Sequence, residues 1–412
     1  MPVLNPRVAG RPASATLVIN ERSRQMLTAG HDVTRFGFGQ SPFPVPADVI
    51  ASLQASAPAK DYEPTAGLPE LRQAVADWHQ RRGVTATRDD VLIGPGSKEL
   101  IFLVQFALDC ELLLPAPSWV SYSPQAELLG LPVQWLDTTR DDGWRLSPET
   151  LAQAGQAQRG RPQLLVLNYP SNPAGTTLSP AHLDELTTVA RRYGIFILSD
   201  EIYGELDHKG THYSLARSYP EGTIVTGGLS KWCGAGGWRL GTALFPQELR
   251  ELRDGIISLA SETYSAVAAP IQRAAVTAFE GTPAIEAYVE QSRRIVAHLG
   301  GAVAEILTSA GIQVAPPEGG FYLFPDFSPF ADQMASRGIG TSTSLCTRLL
   351  EESGVALLPG EAFGRKPAEL TARLAYVDFD GAEALETPPD AVERYADRVL
   401  EGAHRMAQWV GQ

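Results

Sequence analysis

Reactive side chains in this 412-residue chain gather where apolar runs stop. Lys231 follows TIVTGGLS and opens a glycine-dense stretch, KWCGAGGWRLG, in which Arg239 stands eight residues on. A lysine amine condenses with a carbonyl, and a guanidinium grips phosphate or carboxylate with paired N–H donors. Asp200 ends IFILSD, with Tyr203 three residues later. A carboxylate at such a place can cap a helix or keep a heterocyclic nitrogen protonated. VLIGPGSKE brings Ser97 and Lys98, LLVLNYPSNPAG brings Asn168, Asn172 and Pro173, and the distant LTARLAYVDF brings Arg373.

Such groups act together only if a scaffold carries them to one place. Apolar runs at 111–114, 133–136, 163–167, 195–198 and 223–225 alternate with helical patterns such as PAHLDELTTVARRYG, and DVLIG adds a short strand. Continuous apolar strands between helices predict an α/β fold, a parallel sheet covered on both faces. In such sheets ligands meet the ends of strands. LPELRQAVADWHQRRG is apolar at Leu68, Leu71, Val75 and Trp78, which predicts an amphipathic helix ending at Gly83; SKELIFLVQFAL predicts another. The first 44 residues read as an irregular arm with one short helix, about 15 to 29, ending in SPFPVP. A long helix from about 283 to 310, strand-like GFYLFPDF, GVALLPG and TARLAYVDF, and a closing helix from about 390 predict a smaller α+β domain. The expected division is 1–44, an arm and part of the small domain; 45–290, a large cofactor-binding domain; and 291–412, a small C-terminal domain.

Composition narrows the function. Apolar residues make up 44% and the net charge is −13. That balance suits a large core and disfavours nucleic acid or an anionic membrane as the main partner. Cys110, Cys233 and Cys346 lie far apart without a CxxC, so no disulfide framework or zinc site is expected. The chain shows neither a signal-peptide pattern nor an uncharged apolar run long enough to span a bilayer, and a cytoplasmic protein is expected. GPGSKE is not a nucleotide loop, because Ser97 precedes Lys98 where that loop needs the reverse. GxGxxG and GxSxG are absent. His208 and His212, four apart around Lys-Gly, read as a surface loop rather than a metal site.

An amine and an anion-gripping guanidinium on one glycine-rich loop are what a pyridoxal phosphate site requires. GPGSK, PSW, NYPSNPAG, SDEIY, GLSKWCGAGGWRLG and TARLAY, in this order, resemble the fold-type I, class I/II pyridoxal-phosphate-dependent aminotransferases of the aspartate/aromatic kind, from about residue 35 to 380. The resemblance implies a large domain with a mainly parallel sheet of the seven-stranded type, covered by helices, beside a smaller α+β domain. It implies that Lys231 holds the cofactor covalently, that Asp200 meets the pyridine nitrogen, and that Tyr203 and Asn172 meet the phenolic oxygen. Trp119 would stack on the ring. Ser97, Lys98, Ser230 and Arg239 would bind the phosphate. Arg373 would clamp the substrate's alpha-carboxylate, with Gly39 and Phe38 beside it. Tyr62 would reach the phosphate of a neighbouring subunit, which implies a homodimer with shared active sites.

Two departures stand out. Gly228 occupies a place where the family often has a phosphate-binding hydroxyl, and Ser261, followed by Glu262, occupies one where dicarboxylate-specific relatives have arginine. The expected reaction is ping-pong transfer of an amino group between an L-amino acid and a 2-oxo acid through Lys231, with neutral or aromatic donors favoured by Phe38, Trp119 and Ser261. A beta-lyase, decarboxylase or other eliminase on the same scaffold is the alternative, since the cofactor-binding residues serve all these outcomes. A non-enzymatic sensor would carry a DNA-binding domain for which the residues before Arg35 leave no room.

Overall fold

Alternate residues of a strand face opposite sides of its sheet, and here both sides are apolar. The computed structural model describes residues 4–10, 15–157 and 160–411. After the short strand β1 (Thr34–Arg35), seven strands form the central sheet: β2 (Val91–Gly94), β3 (Glu111–Ala116), β4 (Val133–Asp137), β5 (Gln163–Leu167), β6 (Phe196–Asp200), β7 (Thr223–Gly228) and β8 (Gly241–Leu244). Their order is β2-β8-β7-β6-β5-β3-β4. Six run in one direction, and β8 runs against both its neighbours. Leu112, Leu114, Val166, Leu198 and Ile224 pack on one face against helices Ser97–Ala107 and Arg250–Thr263. Leu113, Leu165, Leu167 and Ile197 pack on the other against helices Pro148–Gln156 and Pro180–Tyr193. Each such leucine contributes about 1.5–3 kcal/mol by leaving water, so the strands cannot slip without exposing one face.

Helix Pro180–Tyr193 illustrates how local residues set the connections. Ser179 accepts a bond from the His182 amide, Pro180 fits the first turn, and Gly194 ends the helix in a left-handed conformation. The strand β8, GTAL, is too short and too close to the glycine-rich stretch to stand out in the sequence. It makes the sheet mixed rather than wholly parallel.

The C-terminal part is built on the 27-residue helix Pro283–Ser309, which packs against the closing helix Asp397–Val410. Residue 290, the expected domain boundary, falls inside that first helix. The closing helix starts at Asp397, later than the expected 390, because Pro388 and Pro389 lead into a short turn at Val392–Arg394. GFYLFPDF yields only β9 (Tyr322–Leu323), and Phe321 and Phe324 serve the core instead of a ladder. GVALLPG breaks into β10 (Val355–Ala356) and β11 (Leu358–Pro359), and TARLAYVDF yields β12 (Ala372–Ala375). β12 lies between β11 and β9, while β10 pairs with β1.

The segment 34–39 is therefore woven into the C-terminal part. Asp378, whose side chain is buried, accepts from the Arg35 amide at 3.0 Å and from Arg35 Nη2 at 2.8 Å. The Phe36 carbonyl accepts from the Ala375 amide at 2.9 Å. Replacing Asp378 leaves the Arg35 amide without its acceptor. We expect Asp378→Ala to cost about 1–3 kcal/mol in urea unfolding; an unchanged midpoint would show that this anchor carries no load.

Candidate active site

The carboxyl ends of the parallel strands bring the chemistry to one edge of the sheet. Asp200 is the last residue of β6 and is 3% exposed. Tyr122 Oη donates to its Oδ2 at 2.7 Å, and Thr226 Oγ1 to its Oδ1 at 3.4 Å. Burial pushes the carboxyl up to about 6, against the bonds from Tyr122, the Ile202 amide and Thr226. Asn168, just past β5, donates Nδ2 to the Asp200 carbonyl at 2.7 Å and accepts from the Asn172 amide at 2.7 Å. That pair folds the NYPSNP loop back and fixes Asn172, whose Oδ1 accepts from Arg373 Nη1 at 3.1 Å.

Lys231 follows β7. Its Nζ donates to the Gly39 carbonyl at 2.7 Å and lies 5.5 Å from the Tyr203 ring centroid. Loss of water and then the charge of Arg373 pull the amine down to about 7, with Asp200 opposing. A good share of this lysine is a neutral nucleophile and base at neutral pH.

An anion cradle lies beside it. Gly96 (φ 97°) caps helix Ser97–Ala107, and a Cβ there would meet Arg239 Nη2 at 2.2 Å. A Cβ on Gly241 would meet the Ser97 amide nitrogen at 2.3 Å. The glycines thus let the Arg239 guanidinium and β8 approach the helix N-terminus closely, which sets its amides beside a cation as an anion site needs. Lys98 Nζ stands 5.0 Å from the centroid of the half-buried Trp119, which packs edge-on to Tyr122. Ser230 is half-buried next to Lys231. A side chain at Gly228 would strike the Leu240 carbonyl at 2.5 Å, so this backbone has no room for the hydroxyl often found there.

Arg373, on β12, closes the other wall. It is 3% exposed, donates Nη2 to the Gly37 carbonyl at 2.8 Å, and its Nε is buried without an acceptor. A ligand carboxylate would satisfy that donor. Gly39 lies against Tyr322, where any Cβ would fall 2.0 Å from the hydroxyl. Phe38 is partly exposed at the mouth, and Tyr62 is 94% exposed. Ser261 and Glu262 stand exposed on helix Arg250–Thr263 and bond to each other.

The histidine pair is the clear correction. His208 does not lie free in a surface loop: its ring nitrogens bond the Pro317 and Gly320 carbonyls at 3.2 and 3.1 Å. His212 bonds Glu201 at 3.0 Å, and Ser199 and Ser214 donate to the same carboxylate. Burial raises Glu201, but these bonds outweigh it and hold the carboxyl below its usual range. Among the described residues no cluster suits a metal ion. The sequence reading missed Tyr122, Glu201 and Tyr322. Glu201 was within sight, adjoining Asp200 in SDEIY, whereas no spacing signals that Tyr122 or Tyr322 points into the site.

The donor set fits pyridoxal phosphate: a helix N-terminus and guanidinium for the phosphate, a buried carboxyl for a ring nitrogen, and a dewatered amine for the aldehyde. The family described as aminotransferase class I and II matches residues 31–378. The chain is 32% identical to an aspartate aminotransferase of Geobacillus stearothermophilus over 95% of its length and 98% of that protein. It is 31% identical to an asparagine–oxo-acid transaminase of Streptococcus mutans, over 96% and 98%. Among solved structures, an aspartate aminotransferase from Thermus thermophilus with maleate superposes with a TM-score of 0.86 at 28% identity, over 99% of this chain and all of that one.

The raised Asp200 has a measurable cost. Its unfolded pKa is ~3.9, so its favourable, protonated contribution is complete below that value and is lost as pH rises through about 6. Above pH 6 the buried charge costs on the order of 3 kcal/mol. Asp200→Asn should make the cofactor-free protein more stable than wild type at pH 8, with the gain vanishing below about pH 4. A stability difference that is flat with pH would contradict this.

Proposed function

The chain belongs to the class I and II aminotransferases, and from that premise we propose which side chains do the work and which amino donors it prefers. The protein is a pyridoxal-phosphate-dependent transaminase that exchanges an amino group between an amino acid and a 2-oxo acid. Bound pyridoxal phosphate supplies an aldehyde for amine exchange and a ring that accepts electron density from the alpha carbon. One observation carries the assignment of roles: Lys231, bonded to the Gly39 carbonyl, and Asp200, buried and bonded by Tyr122, lie close enough to act on each other's charge, which partly opposes the loss of water that draws the amine down and the carboxyl up.

In this reading Lys231 holds the cofactor. With the cofactor bound, the Lys231 Nζ would be the base that moves the proton off the substrate's alpha carbon. Asp200 keeps the pyridine nitrogen protonated, and the Tyr122 bond holds the carboxylate in place. Tyr203 donates to the phenolic oxygen. Asn172 helps it, because Arg373 occupies its Oδ1 and leaves Nδ2 to donate. Trp119 covers the ring. The backbone amides of Ser97 and Lys98, with Ser230 and Arg239, bind the phosphate. Arg373 takes the alpha-carboxylate in a two-pronged contact, with Gly39 and Phe38 beside it. The 94% exposure of Tyr62 supports a role across a homodimer interface, at the neighbouring phosphate. Three unpaired, buried cysteines support a reducing, cytoplasmic setting, and no described helix is long and apolar enough to cross a membrane.

Phe38, Trp119 and Ser261 argue for a neutral or aromatic donor. Lys98 argues for an acidic one. Its ammonium faces Trp119, and among the described residues no carboxylate closes an ion pair with it. The similar aspartate aminotransferases support the same choice. We therefore favour a dicarboxylic donor whose side-chain acid meets Lys98. The names of the relatives likewise favour transamination over elimination or decarboxylation.

Lys231→Ala should abolish turnover, and wild-type-like transamination by that variant would overturn the assignment. Lys98→Ala should raise KM for aspartate about ten-fold more than KM for a neutral amino acid. An equal effect on both donors would return the preference to neutral side chains.

A further inference from the structure

Tyr322 lies among the site residues without a role in the reading above. It is buried on β9, held by its pairing with Ala375 of β12. Its hydroxyl lies 2.8 Å from the Tyr203 hydroxyl and 3.5 Å from the Gly39 carbonyl, the acceptor that also takes the Lys231 bond. The Arg373 guanidinium stands 4.9 Å from the centroid of its ring, a distance at which a cation is held by the face of an aromatic. One side chain thus touches the groups assigned to the cofactor's phenolic oxygen, to the substrate's carboxylate and to the glycine beside the substrate.

We propose that Tyr322 is a positioning residue that couples the two ends of the site: its hydroxyl orients Tyr203 toward the cofactor, and its ring carries Arg373 toward the substrate's carboxylate. The inference rests on the assignment of Tyr203, Lys231 and Arg373 made above. Tyr203 has a single hydroxyl proton. When that proton goes to the phenolic oxygen, the lone pairs of Tyr203 need a donor, and Tyr322 is 2.8 Å away, its one proton turning from the longer 3.5 Å contact with the Gly39 carbonyl to this shorter one. A hydroxyl that accepts one bond donates a stronger second one. The groups facing the pair are Arg373 over the Tyr322 ring, Lys231 across Gly39, Asp200 beyond Tyr203, and Tyr376. Burial raises both phenols above their ordinary range, so the pair keeps its protons through neutral pH. A pH shift seen at the cofactor is then a change in donor strength and not the titration of Tyr203 itself.

The test uses holoenzyme. Wild type, Tyr322→Phe, Tyr322→Leu, Tyr203→Phe and the Tyr203→Phe/Tyr322→Phe double variant are loaded with pyridoxal phosphate, and the absorption of bound cofactor is titrated with pH. The deprotonated cofactor is the form that needs a donor at its phenolic oxygen. Tyr322→Phe should therefore move the midpoint upward by about half a pH unit, and should move it no further in the Tyr203→Phe background. KM for the amino acid should stay near wild type in Tyr322→Phe, which keeps the ring, and rise about ten-fold in Tyr322→Leu, which loses it. A Tyr322→Phe midpoint equal to wild type, or an equal shift in both backgrounds, overturns the coupling to Tyr203. A wild-type KM in Tyr322→Leu overturns the coupling to Arg373. If Tyr322→Leu does not fold, the Phe variant and its cycle still decide the first claim. Wild type that binds cofactor without a pH-dependent band, or keeps that band in Lys231→Ala, would instead sink the underlying assignment, and the inference with it.

Discussion

An amine and a carboxyl group, both short of water and within reach of each other's charge, set the terms for the rest of this molecule. Lys231 and Asp200 are each pushed toward neutrality, the lysine down to about 7 and the aspartate up to about 6. Their mutual attraction offsets only part of that penalty. What keeps Asp200 in place is a set of donors spread over three segments: Tyr122 beyond β3, Thr226 on β7 and the Ile202 amide. Lys231 is held by a carbonyl from the N-terminal segment. Each group therefore gains from a partner of matching chemistry. A ligand with a protonated ring nitrogen and an aldehyde relieves both halves at once, and binding of that kind stabilises the folded state by mass action.

The same need explains the architecture around these two groups. Six parallel strands bring Gly94, Ala116, Asp137, Leu167, Asp200 and Gly228 to one edge. The polar loops start there because the strands themselves are apolar on both faces. The opposite wall comes from far along the chain. Glu318 receives Arg145 Nη2 at 2.5 Å and the Thr177 amide at 2.8 Å, while its own amide donates to the Gly175 carbonyl at 2.7 Å. This clamp presses the segment before β9 against the loop after β5, and so sets Tyr322 beside Tyr203. Asp378 anchors the N-terminal segment from the other side. Arg373 then lies between two segments, each fixed independently.

Much of this was legible in the residues. The apolar runs located β2 through β7, because a strand covered on both faces needs little else to declare itself. The reactive residues sit directly after those runs, and that position pointed to Asp200, Lys231, Asn172 and Ser97. Arg373 came from a strand with no neighbour in sequence, and only the resemblance gave it a role. The failures share a cause. Tyr122 and Tyr322 act through where their hydroxyls end up, which depends on packing between segments distant in sequence. His208 and His212 looked exposed because a Lys-Gly turn separates them, yet each ring finds its partner elsewhere, at Gly320 and at Glu201. β8 is four residues long and owes its existence to pairing with β2 and β7.

The chain has five lysines, at 60, 98, 209, 231 and 366, which makes the central claim easy to test. Pyridoxal phosphate is bound to the protein, the lysine–cofactor bond is fixed with borohydride, and the digested peptides are weighed. The account predicts the adduct on Lys231 alone, and its loss when an amino acid substrate is added before the borohydride. An adduct on Lys98 or on an exposed lysine, with Lys231 unmodified, would contradict it.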